Sequence, residues 1–184
     1  ARAFGFEAEF FGMDQDQAVA HLSDSGINAI NDGYNHEVSE QWRVTEDGSV
    51  SGSGCELVSP ILRTSLKTDM EMARKSVRIL ARAGGQVDRS CGLHIHHNLR
   101  GKTVTDVAET AAHWALFQPI INRILPTSRQ HADYACGMDN PARWYNSIRE
   151  YGDLDSPWNT ISSHRFGRFH AVNLQAIEAH GTLE

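Results

Sequence analysis

Between Phe4 and Phe11 the chain alternates with a period of two. Phe4, Phe6, Ala8 and Phe10 fall on one side of a strand, and Gly5, Glu7, Glu9 and Phe11 on the other. A strand divided in this way needs a sheet around it, an apolar layer over one face and a polar environment on the other. That requirement excludes an all-helical fold. Later segments fit the same picture. Glu37 to Thr45 and Cys55 to Ser59 read as strands around a turn at Glu46-Asp47-Gly48-Ser49, the second ended by Pro60, and together they predict a hairpin. Leu93 to Leu99 and Arg168 to Ala176 read as further strands.

Helical spacing marks the remainder. A short helix is expected over about Asp16 to Ser23, with Gly26 placed to stop it. Leu66, Met70, Ala73, Val77 and Leu80 recur at intervals of four and three, which predicts a helix over Ser65 to Ala83 closed by Gly84-Gly85. Another is expected over Val104 to Leu125, kinked or divided by Pro119, and a third from Asn140-Pro141 to about Tyr151. The mixture predicts an α+β fold, a mostly antiparallel sheet with helices packed on one face. At 184 residues one domain spanning 1–184 is the natural reading, without internal repeats.

Charge and composition narrow the function. There are 23 acidic and 17 basic residues, a net charge of −6, and no basic run, so direct nucleic-acid binding is not expected. No stretch approaches the ~20 apolar residues of a membrane span and no secretory signal precedes the first strand, so a cytoplasmic protein is expected. Cys55, Cys91 and Cys136 lie too far apart for a metal pair or a disulfide framework and read as reduced.

An acidic chain can still hold a polyphosphate through divalent cations, so carboxylates at ligand spacing matter. Glu7 and Glu9 share a strand face about 6.6–7 Å apart, close enough to serve two neighbouring ions, although a solvent face would look the same. His94 and His96 share a face in Gly92-Leu93-His94-Ile95-His96-His97. Glu56 sits in an apolar strand, where it either alternates outward or is a buried acid that needs a partner or a metal. Asp47 and Ser49 lie in the hairpin turn, and Arg165, Arg168 and Asn173 offer contacts to phosphate or a polar substrate.

Taken in order, FGFEAEF, WRVTEDGSV, GCELVSPIL, SCGLHIHH, RQHADYAC, RFHAVNL and the terminal GTLE resemble the amidoligase family, grouped with glutamine synthetase and gamma-glutamylcysteine synthetase. The resemblance implies a glutamine-synthetase-like catalytic domain that uses ATP and two or three Mg²⁺ ions, with Mn²⁺ as an alternative. A carboxylate would be phosphorylated and the acyl phosphate attacked by an amine, giving an amide or isopeptide bond. It implies that Glu7 and Glu9 bind different ions, Glu56 joining Glu9 and His94 joining Glu7. His96 would contact phosphate, and Glu184 would complete the phosphate-side ion. Arg168, with Arg165 as the alternative, would neutralise the transferring phosphoryl group. Asp47 would orient or deprotonate the amine, while Ser49 and Asn173 contact substrate. Expected partners are small-molecule or peptide carboxylates and amines; a homo-oligomer stays open.

Two departures stand out. The family continues beyond its last glutamate whereas this chain stops at Glu184, so a domain truncated at its C-terminus is expected. Leu-Glu is also what a cloning junction leaves, and the first residue is not Met. Rival readings are a zinc hydrolase using His94, His96 and Glu56, and a non-catalytic domain of the same fold.

Overall fold

The computed structural model describes residues 2–33, 39–50, 54–130, 136–138, 140–150 and 169–184. The chain packs as two compact units, Ala1–His96 and His97–Glu184. The architecture is α+β, and its sheet is mixed but mostly antiparallel.

In the first unit, β1 (Ala3–Phe10) pairs antiparallel with β4 (Cys55–Val58), and β4 pairs antiparallel with β3 (Trp42–Glu46), which is the expected hairpin. Two short strands were not legible in the sequence. β2 (Ala29–Asn31) runs parallel to β3, and β5 (Leu62–Arg63) pairs with the start of β1. β6 (Leu93–Asn98) neighbours β1 on its other side. The part of the expected strand before residue 39 lies largely outside the described residues.

The period-two pattern of β1 is obeyed. Phe6 and Phe10 enter a core with Trp42, Val44, Cys55 and Leu57 from the neighbouring strands. Helix α1 (Gln15–Asp24) contributes Ala18 and Leu22, and α2 (Lys67–Ala83) contributes Leu80. Leu22 and Leu57 are fully buried, each stabilising the unit by roughly 1.5–3 kcal/mol. A capping box starts α1: the Asp14 carboxylate accepts from the Gln17 N–H while the Gln17 side chain accepts from the Asp14 N–H. Gly84 closes α2 in the left-handed region at φ +107°. With one sheet face committed to this core, the alternate residues of β1, β3 and β4 share the other face.

In the second unit, α3 (Val104–Ile121) buries Val107, Ala108, Ala111 and Ala115 against Trp144 and Ile148 of α5 (Pro141–Arg149). Pro119 does not divide α3; the helix runs on to Ile121 and tightens into a 3-10 turn at Asn122–Ile124, followed by the four-residue α4 (Thr127–Gln130). The end of β6 pairs with β7 (Thr182–Leu183), His97 opposite Leu183.

The strand expected over 168–176 is corrected. His170 makes one isolated bridge to Cys136, and Gln175–His180 forms helix α6. The Asn173 carboxamide oxygen accepts from the Gln175 N–H at 2.9 Å and so turns the chain into that helix. Val172, Asn173 and Leu174 are all buried, so the stretch lacks the alternating exposure expected of it.

Candidate functional site

Register assembles the polar face of the first unit. Thr45 lies opposite Glu56 and Glu56 opposite Glu9, so the three form one row across β3, β4 and β1. Residues directly opposite on adjacent strands share a face, and those two positions along a strand share it too. Arg43, Val58 and Glu7 therefore make a parallel row beside the first. Asp47 continues β3 beyond Thr45 and joins the same side.

The result is a group of three acids. One carboxylate oxygen each from Glu9, Asp47 and Glu56 lie within 4.8 Å of one another, the kind of all-oxygen group that can hold a hard divalent cation. Thr45 Oγ1 donates to Glu56 at 3.4 Å. Burial, reinforced by the carboxylates of Glu7, Asp47 and Glu9, pushes the Glu56 carboxyl up to about 8, and His94 acts in the opposite sense. Glu56 thus alternates away from the hydrophobic core, as its neighbours Cys55 and Leu57 enter it, yet it is partly buried among other acids on the polar face. Its electrostatics ask for a cation: like charges crowd it, and a divalent ion would relieve the repulsion.

Histidines from β6 flank the group. His94 Nε2 stands 3.3 Å from Glu9 Oε1, and His96 Nε2 stands 3.5 Å from Glu7 Oε2. The resemblance pairs His94 with Glu7 and gives His96 to phosphate; in the structure His94 stands against Glu9 and His96 against Glu7. Glu9 is further held by Gly92. The Glu9 N–H donates to the Gly92 carbonyl at 3.1 Å, and the Gly92 N–H donates to Glu9 Oε2.

Asp47 also anchors its own turn, because its Oδ1 accepts from the Ser49 N–H at 2.7 Å while Ser49 is exposed. The sequence reading gives Asp47 to the amine; the structure sets it with Glu9 and Glu56. That placement was legible in principle, since an antiparallel pairing of Thr45 with Glu56 brings the residue two beyond Thr45 to the same side. Arg43 was missed altogether. It is 4% exposed and its guanidinium holds Asp32 at 3.0 Å, and a basic residue in a strand carries no sign of that.

In the second unit Asn173 clasps Glu184. Their backbones exchange hydrogen bonds at 2.8 and 3.4 Å, and Asn173 Nδ2 donates to the Glu184 carboxylate at 2.8 Å. Both ends of the Asn173 carboxamide therefore have protein partners. Arg165 and Arg168, the candidates for the phosphoryl group, lie outside the described residues.

Comparison with protein families decides the kinship. A family model described as "Putative amidoligase enzyme" matches residues 1–184. The chain belongs to the amidoligase family. Membership indicates a ligase-type enzyme. Comparisons with curated proteins and with solved structures returned no match. Among the described residues of this amidoligase, no helix is long and apolar enough to cross a membrane.

Proposed function

We propose that the protein is an ATP-dependent carboxylate-amine ligase, with a glutamine-synthetase-like catalytic fold, that makes an amide or isopeptide bond through an acyl phosphate. The observation that carries the reading is the Glu9, Asp47 and Glu56 group, an oxygen-only set on the polar face of the sheet of an amidoligase.

The donor chemistry fits magnesium, which prefers oxygen ligands and keeps some water and phosphate in its shell. Glu9, Glu56 and Asp47 would hold one ion, and Glu7 with a neighbouring imidazole a second; Glu184 is the candidate for completing the phosphate side. Bound there, the ions would neutralise charge on the transferring phosphoryl group.

The chain's own residues then divide the remaining tasks. Glu56, kept protonated by burial and by its acidic neighbours, would be a ligand in its ionised form. Its carboxylate then orients the reacting oxygens, while Thr45 fixes its rotamer. His96 would donate to a phosphate oxygen. Asp47 stands where it can also orient the amine, and Ser49 beside it is exposed for substrate contact. Arg168, or Arg165 in its place, supplies the cation for the phosphoryl group, and Asn173 positions substrate through its clasp on Glu184. Protein groups that place reactants and stabilise charge account for most of the catalysis expected in phosphoryl transfer.

The zinc alternative is less well served. Zinc favours imidazole and thiolate, whereas the three-residue group contains neither, and His94 and His96 face different glutamates.

The purified protein with ATP, Mg²⁺ and pooled amino acids should release ADP and phosphate, with hydroxylamine trapping the acyl phosphate as a hydroxamate. Glu7→Gln should abolish both signals. ATP turnover unchanged by that substitution rules out the two-ion assignment, and an absence of turnover with every carboxylate and amine offered favours a non-catalytic domain.

A further inference from the structure

Gly92 is a glycine for which the backbone has no conformational need. The glycines at positions 12, 26, 33, 84, 101 and 181 have positive φ, but Gly92 is not among them. What excludes a side chain at this position is the site itself. A Cβ on residue 92 would stand 2.8 Å from His94 Nε2, 3.2 Å from His94 Cδ2 and 3.2 Å from Glu9 Oε1. Those are the atoms of the ion pair that flanks the acid group. The same residue grips Glu9 twice through its peptide groups, accepting from the Glu9 N–H and donating to Oε2.

We propose that Gly92 is a positioning residue of the cation site, an inference that rests on the ligase reading above. Its N–H engages Oε2 of Glu9, so that Oε1 faces His94 and the cation. Its missing side chain is the space into which the His94 ring folds. The residue thereby sets both the rotamer of one ligand and the approach of another without touching the ion. Partners of this kind typically change metal affinity by about 10–100-fold when they are altered.

The test is Gly92→Ala, with Gly5→Ala as control, since a Cβ at position 5 meets only Ser59 Oγ at an ordinary 3.7 Å. Free Mn²⁺ is titrated by electron paramagnetic resonance, and thermal melting is followed in chelator. Gly92→Ala should weaken Mn²⁺ binding about tenfold or more, while Gly5→Ala binds as the parent does. In chelator the melting temperature of Gly92→Ala should stay within about 3 °C of the parent, because the atoms met are the far ends of the His94 and Glu9 side chains and no backbone. Once His94→Ala has emptied the space, adding Gly92→Ala should cost little more, a non-additivity expected of residues acting through one contact.

Equal Mn²⁺ affinity in Gly92→Ala and the parent overturns the role of Gly92 and leaves the ligase reading standing. A parent that binds no Mn²⁺ at millimolar concentration overturns both. A large loss of melting temperature in chelator, or strict additivity with His94→Ala, assigns Gly92 to the fold and overturns the proposal.

Discussion

Replacing Glu56 by Gln should stabilise the ion-free protein and at the same time remove its response to divalent cations. The carboxyl is pushed from 4.5 up to about 8 by burial and by Glu7, Asp47 and Glu9. In the unfolded chain it ionises near 4.5; in the folded chain it keeps its proton until about pH 8. A group raised in this way contributes fully below the lower value, and its contribution is lost progressively as pH rises to the upper one. At ~1.4 kcal/mol per pH unit, the interval from 4.5 to pH 7 corresponds to roughly 3 kcal/mol. Partial access to water reduces this to roughly 1–2 kcal/mol. Glutamine is nearly isosteric, keeps an acceptor for Thr45 and carries no charge to desolvate.

The expected result in chelator at pH 7 is a melting temperature about 2–8 °C above the parent. Between pH 5 and pH 8 the parent should lose stability, and the variant should follow a flatter profile. Millimolar Mg²⁺ or Mn²⁺ should reverse the order, because a ligand that binds only the folded state stabilises by mass action and the variant lacks the charge to hold it. Differential scanning calorimetry with and without chelator at four pH values reads all of this. A variant that melts below the parent in chelator, or gains as much from Mn²⁺, refutes the account of Glu56 as a strained ligand.

Two further changes probe what surrounds the site. Arg43→Met leaves Asp32 without its guanidinium on the polar face of the sheet and should destabilise by about 2–4 kcal/mol, read by urea unfolding; Arg43→Met together with Asp32→Asn should recover at least half of that, and no recovery means the ion pair is not the cause. Asn173→Ala removes the donor to Glu184 and the acceptor for the Gln175 N–H, and should cost about 1–3 kcal/mol, with amide exchange quickening from Asn173 to Glu184 before it does elsewhere.

Legibility in the sequence followed the length and regularity of each element. β1 and α2 were readable because their periodicities run over eight and 17 residues. β2 and β5, at three and two residues, are too short to show a period and exist because neighbouring strands supply their hydrogen bonds. The stretch around Asn173 misled because Val172, Leu174 and Ala176 imitate strand spacing, while one Asn side chain turns the backbone into a helix. At the site, the Glu7 and Glu9 pair and the two histidines stood out as residue types at a suggestive spacing. Asp47 entered only through the resemblance, as a residue for the amine, because an Asp in an Asp-Gly turn is fully explained by turn chemistry; the register with Glu56 is what sets it among the acids. Arg43 and Gly92 were hidden for different reasons, one because its partner Asp32 lies in a separate segment and the other because it acts through its backbone.

The position of the acid group along the chain has a consequence for biosynthesis. Glu9, Asp47, Glu56, Gly92 and both site histidines precede residue 97, where the second unit begins. Translation at roughly 5–20 residues per second takes about 4–18 s to add residues 97 to 184. Cation binding is far faster than that. On the ligase reading, the nascent first unit, burdened with mutually repelling carboxylates, would meet cellular magnesium several seconds before residue 184 is added, and the ion would act as a folding partner before it takes part in any reaction.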